Sequence, residues 1–181
     1  MSNLTKKALI SSFFKLLSTR PFKKITISNI TDDCGVNRMT FYYHFRDIND
    51  LVEKAFEESF NEITKNTQGE RDWSATYLSL FEMVFNKKDY VKKLYPEFDF
   101  RDLLSFIFPF ANKIAHEIVE CHTKKSIDKA MHLRLVHSIS CCIVGSFFEW
   151  LESDMARKPA ELVNEQKSFF NNAINGALNQ S

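Results

Sequence analysis

The chain has 181 residues, of which 44% are hydrophobic and 26% charged, a balance typical of a globular protein with a sizeable core. The formal net charge is only +1, and no apolar run approaches the length of a membrane span, so we expect neither a membrane protein nor a strongly basic one. Only 4 Gly and 4 Pro interrupt long stretches of helical periodicity, which predicts an all-α fold.

The four cysteines form neither a CxxC pair nor a disulfide framework. We therefore expect reduced cysteines and a cytoplasmic protein. Cys141 and Cys142 are expected to be buried and structural, and oxidant sensing by this pair is the alternative. The first residues, MSNLTKKALISSFFKLL, lack a small-residue cleavage site and have polar residues at helical spacing, which favours an amphipathic helix over a signal peptide.

Charge is distributed unevenly along the chain. Residues 1–50 contain eight Lys/Arg and four Asp, hence +4, whereas the remaining 16 Lys/Arg and 19 Asp/Glu give residues 51–181 a charge of −3. A basic head that approaches a polyanion is the functional interpretation, and chance asymmetry is the alternative.

In the head, residues 1–50, the sequence predicts a series of helices. Periodicity predicts a first helix over 4–19, and Thr26 is a suitable N-cap for a second helix that Gly35 ends. Asn37 caps a third helix, which ends near Phe45. Two short helices joined by a tight turn with glycine form the helix-turn-helix pattern.

The third helix has two different faces. Phe41 and Phe45 are spaced for the core, whereas Met39, Tyr42 and Tyr43 point away from it. An ordinary exposed face would be rich in Glu, Lys and Gln, but hydroxyls and aromatic rings can contact phosphates, base edges and thymine methyls. We therefore interpret this helix as a DNA-recognition helix; the alternative is that the tyrosines pack on the rest of the protein.

The stretch GVNRMTFYYHFRDINDL, residues 35–51, resembles the signature of the TetR family of bacterial transcriptional regulators, and the similarity extends back to Leu4. The resemblance implies an all-α protein with a helix-turn-helix DNA-binding domain over 1–47. It also implies a helical body over 48–181 that binds a ligand and forms a homodimer through the last two helices.

The same resemblance assigns residues to DNA. Thr26 and Ser28 would meet phosphates, the start of the third helix would enter the major groove, and its end would contact phosphates or neighbouring bases. The full set is Thr26, Ser28, Asn37, Arg38, Met39, Thr40, Tyr42, Tyr43 and His44.

Arg38 is the expected base reader, because a guanidinium group can bind guanine through two hydrogen bonds. Four lysines could add electrostatic attraction to the phosphate backbone of DNA: Lys6, Lys7, Lys23 and Lys24. One departure from the family is Ile48, where a phosphate-binding lysine is usual; whether Arg46 replaces that contact is open at this point.

In the body, periodicity predicts a fourth helix from 48 to about 66 and five further helices. Pro109 falls inside the seventh and should kink it or split it in two. The last two helices are apolar on faces too wide for one core, which fits a four-helix interface between two copies. Filling of a monomer core is the alternative.

Phenylalanine is frequent in helices four to seven, and a cavity among these rings would favour a small apolar or aromatic ligand. The alternative is that the rings pack the core. The pocket candidates are Trp73, Tyr77, Phe81, Phe106 and Phe110. His116 and Glu120 share a helix face, but an exposed helix end is favoured over a metal site, and no metal or other cofactor is expected.

The predicted function is that of a ligand-responsive repressor that binds a pseudo-palindromic double-stranded DNA site as a dimer. No catalytic residues stand out, since the sequence has no Ser-His-Asp pattern and no glycine-rich phosphate loop. The alternative is a co-regulator of the same fold that acts mainly through a partner protein. The stretch GSFFEWLESDMARKPAEL, residues 145–162, resembles a TetR subgroup that includes dihydroxyacetone-kinase operon regulators.

Overall fold

The computed structural model describes residues 2–66, 73–122 and 127–178. Over these ranges the chain forms nine α-helices and two single 3-10 turns, and contains no strand, which confirms the predicted all-α class. The helices are α1 (Ser2–Thr19), α2 (Ile27–Cys34), α3 (Arg38–His44), α4 (Ile48–Asn66), α5 (Trp73–Asn86), α6 (Lys88–Leu94), α7 (Phe100–His122), α8 (Lys129–Glu152) and α9 (Pro159–Leu178).

The chain divides into two compact units. The head unit comprises Met1–Glu62 and Lys87–Phe98, and the body unit comprises Ile63–Asn86 and Asp99–Ser181. The head unit thus includes most of α4 and all of α6, and extends beyond the DNA-binding domain predicted for 1–47. In this unit the Lys93 ammonium donates to the carbonyls of Leu17 and Ser18 at 2.8 and 3.1 Å, which ties α6 to the end of α1.

The head unit has one apolar core to which α1, α2, α3 and α4 each contribute. Its fully buried side chains include Leu9, Phe13, Ile30, Phe41 and Leu51. Each side chain of this size stabilises the fold by about 1.5–3 kcal/mol when fully buried. These residues fix the positions of α2 and α3, which at 8 and 7 residues are each too short to be stable alone.

Local sequence sets the helix boundaries in the head as predicted. Thr26 forms a capping box with Asn29, in which each side chain accepts from the other residue's backbone N–H. Gly35 ends α2 with φ of 69°, a left-handed conformation that glycine adopts without steric cost. Asn37 caps α3 through its side chain.

In the body unit, α7 is continuous from Phe100 to His122 with Pro109 inside it. Of the two outcomes expected at Pro109, the split is wrong and the kink stays a prediction. Pro109 lies on the exposed side of α7, while the following turns pack along α8, with Asn112 and His116 hydrogen-bonded to Ser140 and His132. This packing outweighs the loss of one backbone hydrogen bond at the proline.

The link between α8 and α9 is fixed by side chains. The Trp150 indole donates to the Arg157 carbonyl at 2.8 Å. The Arg157 guanidinium binds Glu149 at 2.9 Å and Glu165 at 2.8 Å, and so joins the end of one helix to the start of the other. Met155, between the two helices, is only 3% exposed. The stretch 145–162 therefore sets the geometry of the last two helices.

One face of α8 has no partner in the described parts of the chain. Cys141 and Cys142 lie on it and are exposed, so the expectation of buried cysteines is wrong for this pair. By length and composition alone α8 is apolar enough to span a membrane, yet 33% of that stretch is buried in the protein. Apolar helices of soluble proteins pass the same test, and the finding is weak evidence for a membrane span.

Candidate nucleic-acid interface

The recognition helix predicted from sequence is α3, and its two faces are as expected. Phe41 and Phe45 are 0% and 1% exposed, whereas Met39, Tyr42 and Tyr43 are 75%, 53% and 77% exposed. Aromatic and apolar side chains of this size rarely remain so exposed together without a binding partner. The tyrosines do not pack on the described residues to any large extent, which disfavours the alternative of a structural role.

The start of α3 is fixed by its own polar residues. Asn37 Oδ1 accepts from the Thr40 backbone N–H at 2.9 Å and from the Thr40 hydroxyl at 3.0 Å. Asn37 Oδ1 and the Thr40 hydroxyl are therefore both engaged in the cap. The side-chain amide nitrogen of Asn37 keeps two donors that the cap does not use. Asn37 is exposed and Thr40 half-buried, so of the two the asparagine is the more accessible.

Arg38 and Ser28 lie together, although they are ten residues apart in sequence. The Arg38 guanidinium donates through Nη2 to Ser28 Oγ, which joins the first turn of α3 to α2. Thr26, the remaining candidate on α2, is exposed, and its hydroxyl accepts the capping hydrogen bond from Asn29. Because a guanidinium has five N–H donors, the contact with Ser28 leaves Arg38 able to bind a further acceptor.

The end of α3 is held by residues that sequence analysis did not single out. The Lys54 ammonium donates to the His44 carbonyl and to Asp50 Oδ2, both at 3.0 Å, and the Arg46 backbone N–H donates to the same carboxylate at 2.9 Å. Burial alone would raise the pKa of Asp50, but these hydrogen bonds outweigh burial and lower the pKa below its ordinary value. The sequence could have predicted the ion pair of Asp50 and Lys54 from their i, i+4 spacing. It could not have predicted the contact of Lys54 with the end of α3.

Arg46 is the candidate to replace the phosphate contact of the lysine that is absent at position 48. Its guanidinium lies 3.4 Å from Asp50 Oδ1, and its side chain is 78% exposed. Ile48, at the position of the family's lysine, instead packs against the apolar core. A phosphate contact by Arg46 stays a prediction that its exposure permits.

His44, the last residue of α3, is half-buried. Burial and then the nearby ammonium groups of Lys6 and Lys54 lower the pKa of His44 below its ordinary value. The imidazole is therefore neutral at neutral pH, with one donor nitrogen and one acceptor nitrogen.

The four lysines proposed for backbone electrostatics differ in their surroundings. Lys6 and Lys23 form ion pairs with Glu58 and Glu97 at 2.5 and 3.0 Å. Lys7 and Lys24 are exposed. The positive charge of the first pair is thus partly compensated within the head unit.

The predicted pocket residues fall into two groups in the body unit. Trp73, Tyr77 and Phe81 are 5%, 1% and 3% exposed and pack against one another along α5, while the Tyr77 hydroxyl donates to Gln166 of α9. Burial raises the pKa of Tyr77, so this hydroxyl stays protonated. Phe106 and Phe110 are half-buried and form an edge-to-face pair on α7, with ring centroids 5.1 Å apart. A ligand pocket stays a prediction.

The histidines of the body bind each other or other side chains. His116 Nδ1 and His132 Nε2 share a hydrogen bond of 3.1 Å, and His122 Nε2 lies 2.7 Å from Asn171 Oδ1. Over residues 2–66, 73–122 and 127–178, no three His, Cys, Asp or Glu side chains are grouped to hold a metal ion.

Two family models match this chain. The model for "Bacterial regulatory proteins, tetR family" matches residues 9–55, and the model "Transcriptional regulator C-terminal region" of the same family matches residues 71–172. The chain belongs to the TetR family. TetR proteins are DNA-binding transcriptional regulators with a helix-turn-helix, which confirms the predicted class and the prediction that the protein is not an enzyme.

The similar proteins agree with the family. One curated relative is the HTH-type dhaKLM operon transcriptional activator DhaS of Lactococcus lactis, 23% identical over 94 residues; these make up 52% of this chain and only 50% of the relative's length. The solved structure of the dihydroxyacetone kinase operon activator DhaS has a TM-score of 0.77, with 17% identity and coverage of 94% of this chain and 96% of that one. A TetR regulator from Streptococcus agalactiae has a TM-score of 0.60 at 18% identity, over 96% and 94% of the two chains. These structural matches show the TetR fold.

Proposed function

We propose that this TetR protein binds a pseudo-palindromic double-stranded DNA site as a homodimer, with α3 of each copy in the major groove. The observation that carries the proposal is the outward face of α3: Met39, Tyr42 and Tyr43 are more than half exposed on a helix whose opposite face is fully buried. In helix-turn-helix proteins this second helix enters the major groove, and its exposed side chains meet the bases.

Arg38 has the role of base reader in this proposal. It is exposed at the first position of α3, and Ser28 holds its guanidinium in the free protein. Tyr42 and Tyr43 donate hydrogen bonds to phosphates or lie against bases, and Met39 contacts thymine methyls or sugars. Thr26, Asn37 and Thr40 fix the helix starts and offer their remaining hydrogen-bonding capacity to phosphates and base edges.

The homodimer is supported by the composition of the last two helices. Leu133 on α8 and Phe169 on α9 are 52% and 58% exposed, and only a third of the apolar stretch of α8 is buried within one chain. Two copies that cover this face against each other bury it without a membrane. A cytoplasmic location follows from DNA binding.

The proposal also covers whether the protein represses or activates transcription and which kind of ligand controls it. Repression is the usual action in the family, whereas the similar DhaS proteins are named activators, which favours activation as the second candidate. An apolar or aromatic ligand in the body would act by binding one conformation of the dimer more tightly than the other.

A direct test is enrichment of a random duplex library on the purified protein at two salt concentrations. We expect a palindromic site with half-sites about one helical turn apart, selected at both concentrations. Salt-sensitive binding without sequence preference would contradict base reading by α3. It would favour instead the co-regulator that acts mainly through a partner protein.

A further inference from the structure

We propose that Lys54 of α4 is a positioning residue for base reading, because its ammonium group holds the carboxyl end of the recognition helix. The proposal rests on the proposed DNA-binding function of α3. It assigns to α4 a role in sequence discrimination without any contact between Lys54 and DNA.

The recognition helix is short and needs external support. It runs for only 7 residues, from Arg38 to His44. The last carbonyl groups of a helix have no partner within the helix, and isolated helices of this length are unstable in water. The Lys54 ammonium donates to the His44 carbonyl at 3.0 Å, and a cation at this end also interacts favourably with the helix dipole.

The ammonium group is itself held in place. Asp50 is 5% exposed, and its Oδ2 accepts from Lys54 at 3.0 Å and from the Arg46 backbone N–H at 2.9 Å. The Lys54 nitrogen also lies 5.6 Å from the centre of the buried Phe45 ring, a distance that permits a cation–π interaction. The buried carboxylate of Asp50 thus holds Lys54 against the end of α3 and also binds the backbone of Arg46, two residues beyond that end.

The geometry favours this internal role over a phosphate contact. The Lys54 side chain is 36% exposed, against 78% for Arg46, and its charge is already paired with a buried carboxylate. Two of the three ammonium protons bind the His44 carbonyl and Asp50, so a phosphate contact would have only the third proton to use.

Loss of this support should weaken sequence-specific DNA binding more than non-specific DNA binding. Tyr42 and Tyr43 lie in the second half of α3, next to the carbonyl that Lys54 binds. Arg38, the proposed base reader, is at the start of the same 7-residue helix, so a shift of the helix end also displaces its guanidinium. Hydrogen bonds to base edges require placement within about 0.5 Å, whereas contacts with the phosphate backbone tolerate larger shifts.

The test compares Lys54→Met with two control variants of the same chain. Lys54→Arg keeps a donor at the same place, and Lys65→Met removes a charge from an exposed position in the last turn of the same helix. Dissociation constants are measured for a selected duplex and a scrambled duplex over a range of salt. Lys54→Met should lower the ratio of the two affinities about tenfold and leave the salt slope unchanged, as expected for loss of a charged hydrogen bond. Lys54→Arg should restore most of the ratio, and Lys65→Met should match the wild type.

A second measurement needs no DNA. Amide hydrogen exchange followed by NMR should accelerate in Lys54→Met at Phe45 and Arg46, whose N–H groups bond to Phe41 O and Asp50 Oδ2, both at 2.9 Å. Unchanged exchange at these two amides would overturn the support that Lys54 gives to α3.

Three outcomes on DNA separate the possible failures. An unchanged affinity ratio in Lys54→Met, on a duplex that the wild type selects, overturns the positioning role alone. Equal losses on both duplexes with a salt slope reduced by about one would make Lys54 a phosphate contact, which also overturns it. If the wild type selects no duplex, the proposed function fails and the positioning role fails with it.

Discussion

At the scale of single residues, helical geometry is sufficient to separate the two faces of α3. Phe41 and Phe45 turn inward and Met39, Tyr42 and Tyr43 outward, as their spacing predicts. Helical spacing cannot predict contacts between residues far apart in sequence. The hydrogen bond from Arg38 to Ser28 and that from Lys54 to the His44 carbonyl both depend on how the helices pack.

Arg38→Ala should cost about 1–3 kcal/mol of binding free energy on the selected site and relax base preference at one position of each half-site. The reason is the loss of a guanidinium that binds a base edge. Titration of labelled duplexes measures the loss. Lys24→Ala, at an exposed position outside the recognition helix, should weaken binding to all DNA sequences alike. Equal losses on selected and scrambled DNA for Arg38→Ala would contradict base reading by this residue.

His44 should titrate below the ordinary histidine value of about 6.5, because burial and two nearby ammonium groups disfavour its charged form. As the pH falls below about 6.5, the unfolded chain therefore takes up the proton first, and the free energy of unfolding decreases through the folded pKa. NMR of the imidazole signals measures the pKa. Lys6→Met should raise it, and a pKa above 6.5 in the wild type would refute the assignment.

At the scale of helices, the start and stop signals of the head are local and therefore predictable. Thr26, Gly35 and Asn37 act within three or four residues of themselves. Pro109 shows the limit of such reasoning: its local effect is to break a helix, but packing of α7 along α8 keeps the helix continuous. The exposure of Cys141 and Cys142 escapes prediction for a related reason, because an apolar helix does not show from its composition which face is covered by the same chain.

Asn37→Ala should lower the free energy of unfolding by about 0.5–2 kcal/mol, because the first turn of α3 loses the acceptor for the Thr40 N–H. Urea denaturation measures the change. Asn49→Ala, at an exposed position early in α4, serves as the control and should change stability by less than about 0.5 kcal/mol. Equal effects of the two substitutions would show that the cap does not stabilise α3.

At the scale of the whole molecule, the proposed dimer explains why α8 and α9 expose apolar surface in a protein that regulates transcription. A single chain leaves Leu133 and Phe169 more than half exposed. Two recognition helices related by a two-fold axis would read two half-sites, so dimerisation sets the symmetry of the DNA site.

Phe169→Lys should raise the dissociation constant of the dimer by at least about tenfold, since it places a charge in the proposed interface. Analytical ultracentrifugation measures the effect, with circular dichroism as a check on folding. Phe100→Lys is a matched control on α7: the two phenylalanines are 58% and 59% exposed, and each contacts another phenylalanine ring. Loss of the dimer in both variants, or in neither, would contradict an interface formed by the last two helices.

The central claim is that the outward face of α3 reads bases in the major groove, and methylation interference at guanine N7 tests it most directly. On the selected site, methylation of a guanine in each half-site should block binding of the wild-type protein, because N7 faces the major groove and accepts from arginine. Arg38→Ala should lose this interference at one symmetric pair of positions and keep it elsewhere. An interference pattern that is the same for both proteins, or absent for the wild type, would contradict base reading through Arg38.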